Sequence, residues 1–161
     1  MNAHAPPRGL SVWRNPVHWL AFGFGTGLMP RAPGTFGALA AVPLVLLLAQ
    51  WPVWIYVCVT AALFAAGVWL CGRTARDAGV HDHPGIVWDE IVGMIATMTA
   101  APPGWPWLVA GFALFRLFDI WKPWPIGWLD RHVHGGLGIM GDDLAAGALA
   151  CLSVQAAAAF L

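Results

Sequence analysis

Asp89-Glu90, Asp119 and Asp142-Asp143 are the carboxylates in this chain with the best claim to chemistry, and Arg116, Lys122 and Arg131 fall among them. Carboxylate oxygens with no cysteine nearby suit a hard cation, and Mg2+ fits best. Four loop histidines, His81, His83, His132 and His134, stand two residues apart in pairs. That spacing is a weak zinc signal and suits surface, phosphate-binding or proton-transfer roles. Mg2+ beside Arg and Lys, under Gly-rich turns, is the equipment of phosphoryl transfer. The cation and guanidinium groups offset charge on phosphate oxygens, and backbone N–H groups in such turns add donors. No Gly-Lys-Ser/Thr follows either glycine segment, so there is no P-loop. Gly23-Phe24-Gly25-Thr26-Gly27 lacks the strand–helix unit of a dinucleotide fold. Plainer readings compete. Asp119 stands three residues from both Arg116 and Lys122, the spacing of a helical ion pair. Asp142-Asp143 would also suit a helix N-terminus.

These residues sit in a very apolar chain. Of 161 residues, 59% are hydrophobic and 10% charged, with mean hydropathy +0.67. Soluble domains carry about 25% charged residues, so the composition is that of an integral membrane protein. Ala32–Gly72, Ile91–Phe115 and Leu144–Leu161 carry no charge, whereas Arg116–Asp143 is dense in it. The zero net charge offers no field for nucleic acid. Cys58, Cys71 and Cys151 are scattered through apolar runs, with no zinc or disulfide spacing, and read as buried small hydrophobes. Arg8 and Arg14 precede no continuous apolar core, so no signal peptide is expected. One domain is expected, with residues 1–16 loosely ordered.

Positioning falls to helices. Val17–Met29 is apolar but short and glycine-broken, which suits an interfacial or re-entrant segment. Pro30–Gly37 reads as a loop. Phe36–Gln50 and Val53–Cys71 read as helices joined at Trp51-Pro52, with a bend at Pro43. Ile86–Thr99 and Trp105–Trp121 form the next pair, the latter ended by Pro123 and Pro125. Gly135–Gly141 reads as a flexible approach to a last helix over Leu144–Leu161. The expected fold is all-α, a polytopic membrane bundle with about four to five membrane helices. Every charge falls on one side, and the basic residues place that side in the cytoplasm, with the C-terminus outside. Trp51, Trp54, Trp105 and Trp107 mark the outer edge, and Trp88, Trp121, Trp124 and Trp128 the inner.

Three blocks carry a specific likeness: GFGTGLMPRAPGTFGALAAVP from Gly23, HDHPGIVWDEIVGM from His81, and FRLFDIWKPWPIGWLDRHVHGGLGIMGDDLAAG from Phe115. On these the chain resembles phosphatidylglycerophosphatase A, a bacterial membrane lipid phosphatase family. The resemblance implies Mg2+-dependent hydrolysis of phosphatidylglycerol phosphate to phosphatidylglycerol and phosphate, by an all-helical protein of the inner membrane. Gly127 departs from the pattern, since similar chains often carry Arg after Trp-Pro-Ile. That change is expected to weaken a phosphate or headgroup contact.

The expected metal ligands, with a base among them, are Asp89, Glu90, Asp119, Asp142 and Asp143. Arg31, Arg116, Lys122, Arg131 and His134 are expected at the phosphate, and Thr26, Gly34 and Thr35 at the headgroup. The nucleophile is either a water activated by the cation or an aspartate, Asp119 or Asp142. The oligomeric state is not legible. Rival readings are a small channel or transporter, a phosphatase of phosphatidate or polyprenyl pyrophosphate, and a noncatalytic assembly subunit. A transporter does not explain why the charges gather at one face.

Overall fold

A computed structural model of the chain describes residues 10–160, and within them the fold is all-helical. Arg8 and most of the expected loose start lie outside the described residues. From Leu10 onward the chain is packed, because Leu10 and Val12 join the core. Asn15 then caps α1 (Pro16–Ala21) by accepting from the Val17 N–H at 2.9 Å. A 3-10 segment, Gly23–Leu28, follows and turns through left-handed conformations at Phe24 and Gly25. Together they form a short element against the charged end of the molecule, where the Val87 N–H donates to the Ala21 carbonyl. His18 reaches Asp77 at 3.1 Å, and Arg73 joins the same carboxylate.

The first apolar run breaks into α2 (Pro33–Ala40) and α3 (Val42–Leu48), as Pro43 requires. α4 (Val53–Ala78) runs well past Cys71 and carries Arg73, Arg76 and Asp77 in its last turns, not in a loop. Gly79 stops it in the left-handed conformation, φ 68°. α5 (Trp88–Thr97) and α6 (Trp105–Trp121) follow the expected pair. α7 (Ile126–His132) was not expected. α8 (Gly135–Ala159) begins a full nine residues before Leu144, so the glycine run is helix. Asp142-Asp143 therefore sit two turns inside α8, and the N-terminal reading of this pair fails.

α8 is the centre of the bundle, packed on α4, α5, α6 and α7. Its closest partner is α5, and glycine explains why. A Cβ on Gly147 would collide with the Gly93 carbonyl, and one on Gly93 would stand 2.9 Å from the Asp143 carbonyl. Side chains at either position would push the two backbones apart. Contact at this range sets Asp143 beside the first turn of α5, where Asp89 and Glu90 lie.

Two helices, α4 and α8, are long and apolar enough to cross a membrane. That is fewer than the four to five expected. α5, at 10 residues, covers only about 15 Å of a ~30 Å hydrocarbon core. α4 and α6 turn Trp54, Val57, Trp69, Val109 and Leu117 outward, as a lipid-facing surface does. Trp51, Trp54 and Trp105 are exposed at one end of the bundle and Trp121, Trp124 and Trp128 toward the other. Trp88 is a correction: it is buried, and its Nε1–H donates to the Leu63 carbonyl at 3.2 Å. Cys58 is another, because it is exposed on α4 while Cys71 is buried.

Candidate active site

The charges meet in a cavity of about 310 Å³ at one end of the bundle. All five expected carboxylates line it, joined by Asp82 and Asp130. Gly34, Arg116 and Lys122 line it too. The loop before α5 supplies His81, Asp82 and His83, α6 supplies Arg116 and Asp119, and α8 supplies Asp142 and Asp143.

The carboxylates divide by partner. Arg116 Nη1 holds Asp119 Oδ2 at 2.5 Å and stands 3.9 Å from Glu90 Oε1. Lys122 Nζ donates to Asp130 Oδ1 and Asp142 Oδ2, both at 2.6 Å. Burial pulls the Lys122 ammonium down, but these two hydrogen bonds outweigh it and leave its pKa above the ordinary lysine value. Asp89, Glu90 and Asp143 are different. One oxygen from each can be drawn into a group whose atoms lie within 4.8 Å of one another. Asp89 Oδ1, Glu90 Oε2 and Asp143 Oδ2 are buried with no hydrogen-bond partner. Such oxygens are costly in a protein interior unless protonated or bound to a cation. The set is oxygen-only, and no histidine or cysteine belongs to it among the described residues. A hard divalent cation fits these donors, and zinc has no foothold.

Gly34 at the start of α2 completes this corner. A Cβ there would strike the Glu90 carboxylate and stand 3.1 Å from Arg116 Nη1. Only glycine lets the α2 backbone close over the Glu90–Arg116 contact.

Other expected residues do not gather here. The Thr26 hydroxyl donates to the Gly23 carbonyl at 2.8 Å and is spent locally. Arg31 and Thr35 flank Ala32, Pro33 and Gly34 but are not among the lining residues, and Arg31 is exposed. Arg131 is exposed and its neighbour Asp130 lines the wall instead. His134 is exposed and meets the lining residue His81 ring to ring, centroids 4.9 Å apart. Gly127 is buried, and a Cβ there would lie 2.7 Å from the Lys122 carbonyl. A side chain at this position would press on the Lys122 turn. Asp82 and Asp130 were missed. The signal was available: Asp130 stands eight residues beyond Lys122, past two helix-stopping prolines that fold the chain back.

An apolar helical bundle with one carboxylate-and-cation cavity is the build of a membrane-associated phosphohydrolase. Comparison with known proteins gives the family. The profile for Phosphatidylglycerophosphatase A matches residues 19–158. The chain is 54% identical to the Phosphatidylglycerophosphatase A of Escherichia coli (strain K12), over 84% of this chain and 79% of that one. It is 49% identical to the protein of the same name from Haemophilus influenzae, over 97% of this chain and 96% of that one. No solved structure matches it significantly. The chain belongs to the phosphatidylglycerophosphatase A family.

Proposed function

We propose that the chain hydrolyses phosphatidylglycerol phosphate to phosphatidylglycerol and inorganic phosphate with Mg2+, at the cytoplasmic face of the bacterial inner membrane. The observation that carries the metal is the buried Asp89, Glu90 and Asp143 group with its three unpartnered oxygens. Seven carboxylates line the cavity against the side chains of Arg116 and Lys122. A phosphate dianion would be repelled from such a wall unless further positive charge came with it.

Asp89, Glu90 and Asp143 would hold the cation, which when bound offsets charge on the phosphate oxygens as the ester breaks. Arg116, fixed by Asp119 and Gly34, presents its guanidinium to the same oxygens. Lys122 has three donors, and two are used on Asp130 and Asp142. One remains for the phosphate. A water attacks phosphorus, the P–O bond to the glycerol leaves, and the water proton passes to Asp119 Oδ1, opposite the oxygen held by Arg116. An aspartate nucleophile is less favoured, because Asp119 and Asp142 each already bind a cation that draws off their electron density.

The multi-pass arrangement extends α4 and α8 with α5 and α6 packed beside them within the bilayer. The exposed apolar faces of α4 and α6 support it. Val80 and Trp124, both exposed near the cavity end, replaced one at a time by Cys, should label only from the cytoplasmic side. Labelling from outside intact cells would reverse the orientation.

Phosphate release by the purified protein from a panel of lipid phosphates tests the reaction, with EDTA and with Mg2+ restored. Release from phosphatidylglycerol phosphate that stops with EDTA and returns with Mg2+ is expected. Equal release from phosphatidate, or full activity without metal, would overturn the substrate or the cofactor respectively.

A further inference from the structure

The cavity has two acidic corners, and Lys122 fills one of them. Lys122 ends α6 in the left-handed conformation, φ 47°, with its own N–H on the Phe118 carbonyl at 2.8 Å. A non-glycine residue seldom adopts this backbone. Here it turns the side chain back between α7 and α8, onto Asp130 and Asp142. Asp142 and Asp143 are adjacent in sequence yet serve different partners. Asp142 takes the ammonium, and Asp143 joins the unpartnered group with Asp89 and Glu90.

Phosphoryl-transfer sites with two metal ions hold them about 3.5–4 Å apart, each on its own carboxylates. Here one set of carboxylates is unpartnered and the other is already neutralised from within the chain. We infer that Lys122 is a built-in second cation: its ammonium occupies the place between Asp130 and Asp142 that a second divalent ion would take. The site then binds one divalent ion, and Asp142 is a partner of Lys122, not a metal ligand. An ammonium tied to two elements cannot dissociate, so this half of the charge is present whatever the Mg2+ concentration. The inference rests on the reading of Asp89, Glu90 and Asp143 as the cation site.

Counting Mn2+ bound to the purified protein, by the EPR signal of the free ion, tests it without reference to turnover. Wild type should bind one Mn2+ per chain. Lys122→Met should bind two, Lys122→Arg one, and Lys122→Met with Asp142→Asn one again. Asp142→Asn alone should keep its single ion with affinity within about tenfold of wild type. Two ions on the wild type, or one on folded Lys122→Met, would overturn the inference and leave the metal reading standing. So would a loss of roughly 100-fold in Asp142→Asn, the mark of a missing ligand and not of an outer partner. No Mn2+ on the wild type would remove the metal reading itself. Should Lys122→Met fail to fold, the wild-type count and Asp142→Asn still decide.

Discussion

The two ends of the bundle are built from the same apolar helices but to opposite rules. At the end formed by Trp51-Pro52 and Ala101-Pro102-Pro103, polar groups find partners. The Tyr56 hydroxyl donates to the Ile95 carbonyl at 2.7 Å, and Gln155 donates to the Thr99 carbonyl at 2.9 Å. At the other end, Asp89, Glu90, Asp143 and Arg116 each bury a polar atom with nothing to bond. The first end is finished by its own hydrogen bonds. The second is finished only by something that enters it. Unsatisfied buried polar atoms cost free energy, so their concentration at one end marks where the fold gives up stability for function.

The sharpest way to break that comparison is to remove one of the unpartnered oxygens. Asp143→Asn keeps the volume and deletes a charge. Activity should fall by about 1000-fold, the loss expected when a principal electrostatic group of the site goes. Without metal, the melting temperature should hold or rise, because a buried like-charge repulsion has been relieved. With Mg2+, wild type should gain stability through binding and the variant should not. A variant that melts lower in EDTA and gains as much from Mg2+ as wild type would make Asp143 a structural residue.

Asp119 gives the next largest effect. Its Oδ2 is held by Arg116, so the plain ion-pair reading is real in the geometry. As the proton acceptor, Asp119→Asn should lower kcat by about 100-fold, with the Mg2+ concentration for half-activity unchanged. A shifted Mg2+ requirement would make it a ligand instead. If the pair is only structural, Arg116→Met with Asp119→Asn leaves no lone charge and should restore activity. An active double mutant would remove both residues from the chemistry.

The site was legible where sequence spacing equals spatial spacing. Asp89-Glu90 at a helix start and Arg116 with Asp119 one turn apart follow from local periodicity. α6 was read to the residue because Gly104 and Pro123 bracket it. α8 was not, since Gly135, Gly136, Gly138 and Gly141 look like a loop in isolation. They are helical because α8 lies against α4 so closely that a Cβ on Gly136 would strike the Val68 carbonyl. Tertiary approach overrides the low helix propensity of glycine here. Likewise, the two roles of Asp142 and Asp143 depend on Lys122 turning back over α7, which no local pattern announces. Thr26 and Arg131 failed for the opposite reason: they stand next to the right motifs, but their side chains are spent or exposed elsewhere.

The smallest effect belongs to the satisfied end, and it is the control that gives the others meaning. Tyr56→Phe deletes one hydroxyl 39 residues from its acceptor in sequence. The Ile95 carbonyl keeps the Met98 N–H at 3.2 Å, so it is not stranded. The ring stays in place, and no cavity forms. Stability should therefore fall by about 1 kcal/mol, the net worth of one neutral hydrogen bond. Activity at a temperature where the protein is folded should stay within about twofold, because no polar atom of the cavity loses a partner. A thermal melt and a rate measurement on the same preparation separate the two quantities. A loss of rate comparable to that of Asp119→Asn would mean that the two ends are coupled through α5, whose first turn carries Asp89 and Glu90. The division between a structural end and a chemical end would then have to be given up.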